Sequence, residues 1–223
     1  MPTITDLTGT AGPLEAILDL PVLRSATGAP RAAVVFAHPH PQYGGTMHTK
    51  AVYQATKGLA RIGCAVLRFN FRGVGRSSGK FANGEGEIED FRAALGYITA
   101  RYPGVPLWAA GFSFGAWVAL ETGAADNRVS VLIGIAPPVV TSVSGMNYTF
   151  PNTLASTKPK FFVQGEADEV CPIEGIWAFY GKLEEPKELV VIDGADHLFE
   201  GRTEEVGEAL EELLADFEAG PIS

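Results

Sequence analysis

The sequence predicts an α/β protein with a mostly parallel central sheet and helices on both faces. Along the 223 residues, short apolar runs alternate with segments of helical periodicity. The apolar runs are continuous, which is typical of parallel strands buried on both faces. The pattern continues to the end of the chain without a boundary, so we expect residues 1–223 to form one domain.

The strands can be assigned in chain order. Residues 4–27 contain Gly-Pro and Thr-Gly turns and are expected to form an antiparallel hairpin at the sheet edge. The apolar runs predict further strands at residues 32–37, 65–71, 107–111, 129–136, 161–164 and 189–192.

Two segments have clear helical spacing. The apolar positions are Ile88, Phe91, Leu95 and Ile98 in residues 87–101, and Val206, Leu210, Leu213 and Phe217 in residues 203–217. Thr203 is the expected N-cap of the second helix, with Glu204 and Glu205 placed favourably toward its dipole. The segment 137–159 is too short for a cap domain, so none is expected.

The most informative motif is Gly111-Phe112-Ser113-Phe114-Gly115. It follows an apolar run and opens a helix-like segment, which is the strand–turn–helix context of a nucleophile elbow. The glycines allow the strand and the helix to approach closely around the turn. The motif therefore predicts an exposed Ser113 Oγ and a free backbone N–H at Phe114.

A serine nucleophile needs a histidine base and an acid that orients it, in the chain order serine, acid, histidine. His197 is the only histidine after Ser113. Asp168, a few residues past a predicted strand, is the first choice for the acid. Glu166, Glu169 and Asp196 are the alternatives.

A second donor for an oxyanion is expected in the loop after residues 32–37. Pro39 and Pro41 have no N–H, so the donor is the N–H of His40, or that of Gln42 or Tyr43. His38 is expected to pack under this loop. The group His38, His40 and His48 is not expected to bind a metal, because no nearby acid completes a ligand set.

The sequence resembles the α/β-hydrolase superfamily, specifically its small bacterial members without a lid near the dienelactone-hydrolase and carboxylesterase branch. The matching segments are His38 to Gly45, Arg68 to Ser77, the elbow, Gly165 to Asp168, and Gly194 to His197. The resemblance implies a triad of Ser113, Asp168 and His197, with the N–H groups of His40 and Phe114 as oxyanion hole. A serine at the elbow, where dienelactone hydrolases often have cysteine, favours ordinary ester chemistry.

The expected function is that of a serine carboxylesterase acting on small esters. An open site favours short acyl chains, since long chains need more enclosed apolar area. Candidate pocket residues are Tyr43, Met146, Tyr148 and Val170. A thioesterase, a lactonase or a small peptidase would use the same triad, and a binding protein without catalysis is the remaining alternative.

Composition limits the other classes of function. A net charge of −9 argues against nucleic-acid binding. No apolar stretch reaches transmembrane length and the first residues lack a signal pattern, so a cytoplasmic protein without a membrane partner is expected. Cys64 and Cys171 do not resemble a disulfide pair. No cofactor is expected, the partner is a small-molecule ester, and the protein is a monomer or homodimer.

Overall fold

A computed structural model describes residues 3–22, 28–140 and 147–217. The strands are β1 (Thr3–Ile4), β2 (Thr8–Gly9), β3 (Gly12–Pro13), β4 (Ala16–Asp19), β5 (Ala33–Ala37), β6 (Ala65–Phe69), β7 (Leu107–Phe112), β8 (Val129–Ile135), β9 (Lys160–Gly165) and β10 (Lys187–Ile192). The α-helices are α1 (Lys50–Arg61), α2 (Glu85–Arg101), α3 (Phe114–Ala125), α4 (Pro151–Ala155), α5 (Ile173–Tyr180) and α6 (Thr203–Leu214), and a 3₁₀ turn spans Pro41–Tyr43.

Eight strands of the described ranges form one sheet in the order β1-β4-β6-β5-β7-β8-β9-β10. Every pair from β6 to β10 is parallel, whereas β4 runs antiparallel to β6 and β1 runs antiparallel to β4. The predicted parallel sheet and the antiparallel N-terminal hairpin are therefore confirmed. Residues 23–27 of the predicted hairpin lie outside the described residues.

Alternate strand side chains point to opposite faces, and each face is covered by its own helices. Val35 and Leu67 pack in a core with α2, α3 and α5, while Val34 and Val66 pack in a second core with α1 and α6. Helices on both faces of the sheet were predicted, and the two cores confirm that arrangement.

The helix ends differ from the predictions. Helix α2 begins at Glu85, two residues earlier than expected, because the Glu87 carboxylate accepts hydrogen bonds from the N–H groups of Ala82 and Gly84 at 3.0 and 2.8 Å. The prediction that Thr203 is the N-cap of α6 is wrong. Thr203 is the first helical residue and Arg202 is the N-cap, without a side-chain capping bond.

The connection from β8 to β9 contains the short helix α4, which the sequence did not predict. The buried Glu121 of α3 accepts hydrogen bonds from the N–H groups of Asn152 and Thr153, at 3.1 and 2.9 Å, and so holds the first turn of α4. In the part of this connection that the structure describes, there is no cap domain over the sheet.

The aromatic residues of helix α5 have different environments. Phe179 packs in the core, whereas Trp177 is 56% exposed. None of the helices within the described ranges is long and apolar enough to cross a membrane.

Candidate active site

Ser113 lies at the turn between β7 and α3, in a backbone conformation that side chains rarely adopt. Its φ is 55° and its ψ is −122°, a region that is costly for any residue except glycine. A Cβ atom at Gly111 would lie 2.2 Å from the Gly115 carbonyl oxygen, and one at Gly115 would lie 2.4 Å from the carbonyl oxygens of Ala37 and His38. The two glycines therefore let strand, turn and helix pack together with Ser113 at the apex.

His197 lies between Ser113 and Asp168. Its Nε2 is 2.9 Å from Ser113 Oγ and its Nδ1 is 2.8 Å from Asp168 Oδ2. Because a carboxylate only accepts, Nδ1 carries the proton and Nε2 is free to accept the serine proton. Strands β7, β9 and β10 end at the same sheet edge, which brings these three side chains together from distant parts of the chain.

Asp168 is held on both carboxylate oxygens. Oδ1 accepts the N–H groups of Val170 and Cys171 at 2.8 and 2.7 Å, while Oδ2 faces His197. The Asp168 side chain is fully buried, whereas the His197 side chain is 14% exposed. A buried carboxylate with several N–H donors is a suitable partner for an imidazole that becomes positively charged.

The alternative acids have other contacts. The Glu166 carboxylate accepts the Gly194 N–H at 2.9 Å and the Asp196 carboxylate accepts the Glu200 N–H at 2.9 Å, while the Glu169 side chain is exposed. Among the four candidates, the structure brings only Asp168 to His197 within the described residues.

The predicted N–H donors belong to two segments that meet at Ser113: Phe114 lies in the elbow, and His40 lies in the loop after β5. Phe114 is the first residue of α3, so its N–H has no acceptor in the helix. His40 follows β5, and its N–H donates to no other described residue. The close contact of Gly115 with the end of β5 brings these two segments together, and the His40 and Phe114 rings are 5.0 Å apart.

His38 supports this loop from below. Its Nδ1 lies 2.6 Å from the Pro39 carbonyl oxygen, and its Nε2 accepts the Phe71 N–H at 3.1 Å. Complete burial lowers the pKa of His38 to about 4, so the ring stays neutral. The structure therefore agrees with the expectation that His38 packs under the loop.

His40 has a different environment from His38. Its Nδ1 accepts the Gln42 N–H at 3.2 Å, and its ring packs near those of Tyr43 and Phe81 at centroid distances of 4.8 and 4.9 Å. Burial lowers the pKa of His40 as well. The His40 ring forms part of the wall of the cavity at Ser113.

A cavity of about 440 Å³ opens at Ser113. Its lining includes the predicted pocket residues Tyr43, Tyr148 and Val170, whereas the fourth, Met146, lies outside the described residues. The other lining residues are Pro39, His40, Gly44, Gly45, Thr49, Ser113, Phe114, Pro138, Cys171, His197 and Leu198. The wall is mainly apolar and suits a small uncharged group.

One residue beside the site, Gln164, was not predicted from the sequence. Gln164, in the apolar strand β9, donates through Nε2 to Asp168 Oδ2 at 3.0 Å. Its Oε1 is buried without a hydrogen-bond partner among the described residues, which costs about 1–3 kcal/mol. A polar residue within an apolar strand was the signal that could have identified it.

The one group of described side chains that could offer three metal ligands is Asp168, Cys171 and His197, whose ligand atoms lie within 4.8 Å of one another. These residues differ from the histidine group considered in the sequence. Burial and the charge of Asp168 raise the pKa of the Cys171 thiol, so the thiol is protonated near neutral pH. The Asp168 carboxylate is already used by N–H donors and His197.

Comparisons with known proteins agree with this architecture. A family model described as serine aminopeptidase, S33, matches residues 28–144. An uncharacterized protein of Rickettsia prowazekii is 37% identical over 196 residues, covering 85% of this chain and 80% of that protein.

Two solved structures are similar over almost the whole chain. An α/β serine hydrolase homologue from Coxiella burnetii is 35% identical, with a TM-score of 0.84 and coverage of 96% of this chain and 97% of that one. An α/β serine hydrolase without a lid from Xanthomonas campestris is 35% identical, with a TM-score of 0.82 and coverage of 95% and 92%. The family match and these relatives show that the chain belongs to the S33-type serine hydrolase family of the α/β-hydrolase superfamily, among members without a lid.

Proposed function

We propose that the protein is a serine carboxylesterase that hydrolyses small esters with short acyl chains, without a cofactor. The observation that carries the proposal is the hydrogen-bonded chain from Ser113 through His197 to Asp168, with distances of 2.9 and 2.8 Å. Ser113 Oγ attacks the ester carbonyl carbon while His197 Nε2 takes the serine proton. Asp168 stabilises the imidazolium that forms.

The negative charge that develops on the carbonyl oxygen is stabilised by the N–H groups of His40 and Phe114. When the tetrahedral intermediate collapses, His197 returns its proton to the leaving alcohol and the acyl group stays on Ser113. Water then attacks the acyl-enzyme carbonyl carbon and gives a proton to His197. His197 passes this proton to Ser113 Oγ as the acyl–Oγ bond breaks, which releases the carboxylic acid and restores the Ser113 hydroxyl.

The shape and chemistry of the cavity support a short, uncharged acyl group. The cavity of about 440 Å³ has an apolar lining near Ser113 that includes Phe114, Tyr148 and Val170. The described residues provide no cap domain that would enclose a long acyl chain. Short chains gain most of the available apolar contact, and longer chains extend into water without further gain.

The family description names an aminopeptidase, but the cavity does not favour that reaction. An aminopeptidase needs an acidic side chain to bind the substrate ammonium group. Among the described lining residues there is no Asp or Glu, and residues 141–146 contain none in the sequence. We therefore propose ester rather than peptide cleavage.

The test is hydrolysis of p-nitrophenyl esters from acetate to palmitate, with wild type, Ser113→Ala and Ser156→Ala compared. Ser156 does not line the cavity, so its variant controls for loss of a hydroxyl elsewhere. We expect turnover on short chains, its loss in Ser113→Ala, and wild-type rates in Ser156→Ala. Activity that survives in Ser113→Ala would contradict the proposal.

Two further measurements separate the alternatives. A fluorophosphonate should phosphonylate Ser113 Oγ with loss of HF, and so add the mass of the reagent less HF to wild type and not to Ser113→Ala, whatever the natural substrate is. If the serine is labelled while no ester is cleaved, acyl thioesters, lactones and amino-acid p-nitroanilides become the substrates to assay. If the serine is not labelled, a binding protein without catalysis is favoured.

We also propose that the protein acts in the cytoplasm, as a monomer or homodimer, on a small-molecule ester and without nucleic-acid or membrane partners. Cys64 and Cys171 are both free and buried, which is compatible with a reducing compartment. Light scattering of the purified protein would distinguish monomer from dimer.

A further inference from the structure

Gln164 is a buried amide whose position is unexpected for a strand in the core. It is the last residue but one of β9 and has no exposed surface. Its Nε2 lies 3.0 Å from Asp168 Oδ2, 2.8 Å from the Cys171 carbonyl oxygen and 3.4 Å from the Gly165 carbonyl oxygen. All three neighbours are acceptors, so the amide nitrogen must face them and the opposite orientation would place oxygen against oxygen.

Gln164 and His197 donate to the same oxygen of Asp168. The N–H groups of Val170 and Cys171 hold Oδ1, and Gln164 Nε2 and His197 Nδ1 meet at Oδ2. The two backbone donors on Oδ1 limit rotation of the carboxylate about the Cβ–Cγ bond, but they act at the oxygen that His197 does not contact. The Gln164 amide adds a restraint at Oδ2, the oxygen that His197 contacts.

Packing alone does not explain an amide at this position. Gln164 Oε1 is buried and has no partner among the described residues, which is unfavourable for folding. Methionine has a similar size and would avoid the unpaired oxygen. The presence of glutamine at position 164, although its Oε1 is unpaired, is therefore explained by the hydrogen bonds that its Nε2 donates.

The neutrality of the amide is also important. A lysine or arginine at this place would neutralise Asp168 and weaken its stabilisation of the His197 imidazolium. An amide restrains the carboxylate and leaves its charge available. Gln164 thus supplies a donor that restrains Asp168 without competing for its charge.

We propose that Gln164 is a positioning residue that keeps Asp168 Oδ2 in line with His197 Nδ1. This inference rests on the proposed function, in which Ser113, His197 and Asp168 hydrolyse an ester. Gln164 does not line the cavity, so it acts through Asp168 rather than on the substrate.

The first test compares Gln164→Met with Gln54→Met, a matched change on α1 away from the cavity. For Gln164→Met we expect kcat on p-nitrophenyl acetate to fall by about tenfold or more, as for other residues that orient a reacting group, with KM changed by less than about twofold. Gln54→Met should keep the wild-type kcat. A Gln164→Met protein that folds and retains the wild-type kcat would overturn the inference.

The second variant, Gln164→Glu, gives a readout that a purely structural role would not move. It places a second carboxyl group about 3 Å from Asp168 Oδ2, and two buried carboxyl groups at this distance share one proton until the pH is raised. The protonated carboxyl group donates to Oδ2 as the amide does, and loss of the shared proton removes that donor. The kcat/KM profile of Gln164→Glu should therefore gain a decrease on its alkaline side that wild type lacks. The Cys171 thiol, also close to Asp168, stays protonated in this range because burial and Asp168 raise its pKa.

Proton NMR separates failure of this inference from failure of the proposed function, because it needs no substrate. The low-field Nδ1–H resonance of His197 should shift or broaden in Gln164→Met, and in Gln164→Glu it should do so as the pH rises and the shared carboxyl proton is lost. An inactive wild type with both NMR changes would contradict the esterase and support the positioning role. If Gln164→Met does not fold, Gln164→Glu decides, and a His197 Nδ1–H resonance that stays as in wild type at every pH would overturn the inference.

Discussion

At the scale of single residues, Ser113 combines chemical function with backbone strain. Its φ of 55° and ψ of −122° lie where residues with a Cβ atom are destabilised by about 1–3 kcal/mol. The close packing of Gly111 and Gly115 holds it there. Strain at Ser113, the residue that the proposed reaction requires, therefore lowers the free energy of unfolding of the protein.

We expect Ser113→Gly to be more stable than Ser113→Ala, although both lack the nucleophile. Glycine removes the Cβ strain, partly offset by its greater freedom in the unfolded chain, for a net difference of about 1 kcal/mol. This corresponds to a melting temperature about 2–4 °C higher for a protein of this size. Calorimetry of the two inactive variants tests it, and equal melting temperatures would contradict the strain.

We expect Asp168→Asn to lower kcat by about 10⁴-fold, because an amide can donate to His197 Nδ1 and so favour the wrong imidazole tautomer. Glu166→Gln is the matched control, since Glu166 is exposed and contacts the Gly194 N–H. Rates on p-nitrophenyl acetate distinguish the two. A large loss in Glu166→Gln with little loss in Asp168→Asn would show that Asp168 is not the acid and would favour Glu166.

The sequence indicated different parts of the site for different reasons. His197 followed from the motif order, because it is the only histidine after Ser113. Asp168 was chosen by its distance from a strand end. The structure brings His197 to Ser113 and Asp168 to His197, while their catalytic roles stay predictions. Gln164 was missed because hydrophobic periodicity identifies a strand without saying which polar group its end will meet.

At the scale of elements, helices α1 and α6 are in direct backbone contact. A Cβ atom at Gly58 would lie 2.2 Å from the Gly207 carbonyl oxygen, so the two backbones touch where these helices cross. Such contacts between backbones are not visible in a hydrophobic pattern, which marks only the apolar face. The N-cap of α6 was assigned to Thr203 because threonine is a typical N-cap residue by type. In the structure Thr203 is the first helical residue and Arg202 is the N-cap.

We expect Gly58→Ala to destabilise the protein by about 1–3 kcal/mol or more, since the added methyl group meets backbone that cannot move aside. Gly96→Ala in α2 is the matched control, because a Cβ atom there has no neighbour within 4 Å. That change should stabilise by up to about 1 kcal/mol through helix propensity. Urea denaturation of both variants measures the difference, and equal midpoints would refute the contact.

His38 joins the end of β5 to the backbone after β6 and should make stability depend on pH. Its pKa is lowered to about 4 in the folded protein by burial, from an ordinary value of 6.5. The unfolded chain therefore binds more protons between these values, and the folded protein loses stability as the pH falls from 6.5 toward 4.

Between pH 7 and pH 5, we expect this single group to lower the free energy of unfolding by about 2 kcal/mol. In His38→Gln, which cannot titrate, the decrease between the two pH values should be smaller by that amount. Urea unfolding of both proteins at pH 7 and pH 5 gives the comparison. An identical decrease in the two proteins would show that His38 is not responsible.

At the scale of the whole molecule, the site lies where the order of the strands reverses. The chain passes from β5 to β6 on one side and later to β7 on the other, so a crevice forms beyond the ends of β5 and β7. His40 follows β5 and Ser113 follows β7. The sequence predicted parallel strands but did not predict their order. The order depends on how the helices cover both apolar faces of the sheet at the same time.

The loop after β5 has a thermodynamic consequence for substrate binding. Pro39 and Pro41 flank His40 and lock their own φ angles, and His38 anchors the loop through the Phe71 N–H. Little backbone entropy is left to lose at His40 when a substrate arrives. The donor is already oriented in the free protein, so the binding free energy of even a small ester is not spent on ordering this loop.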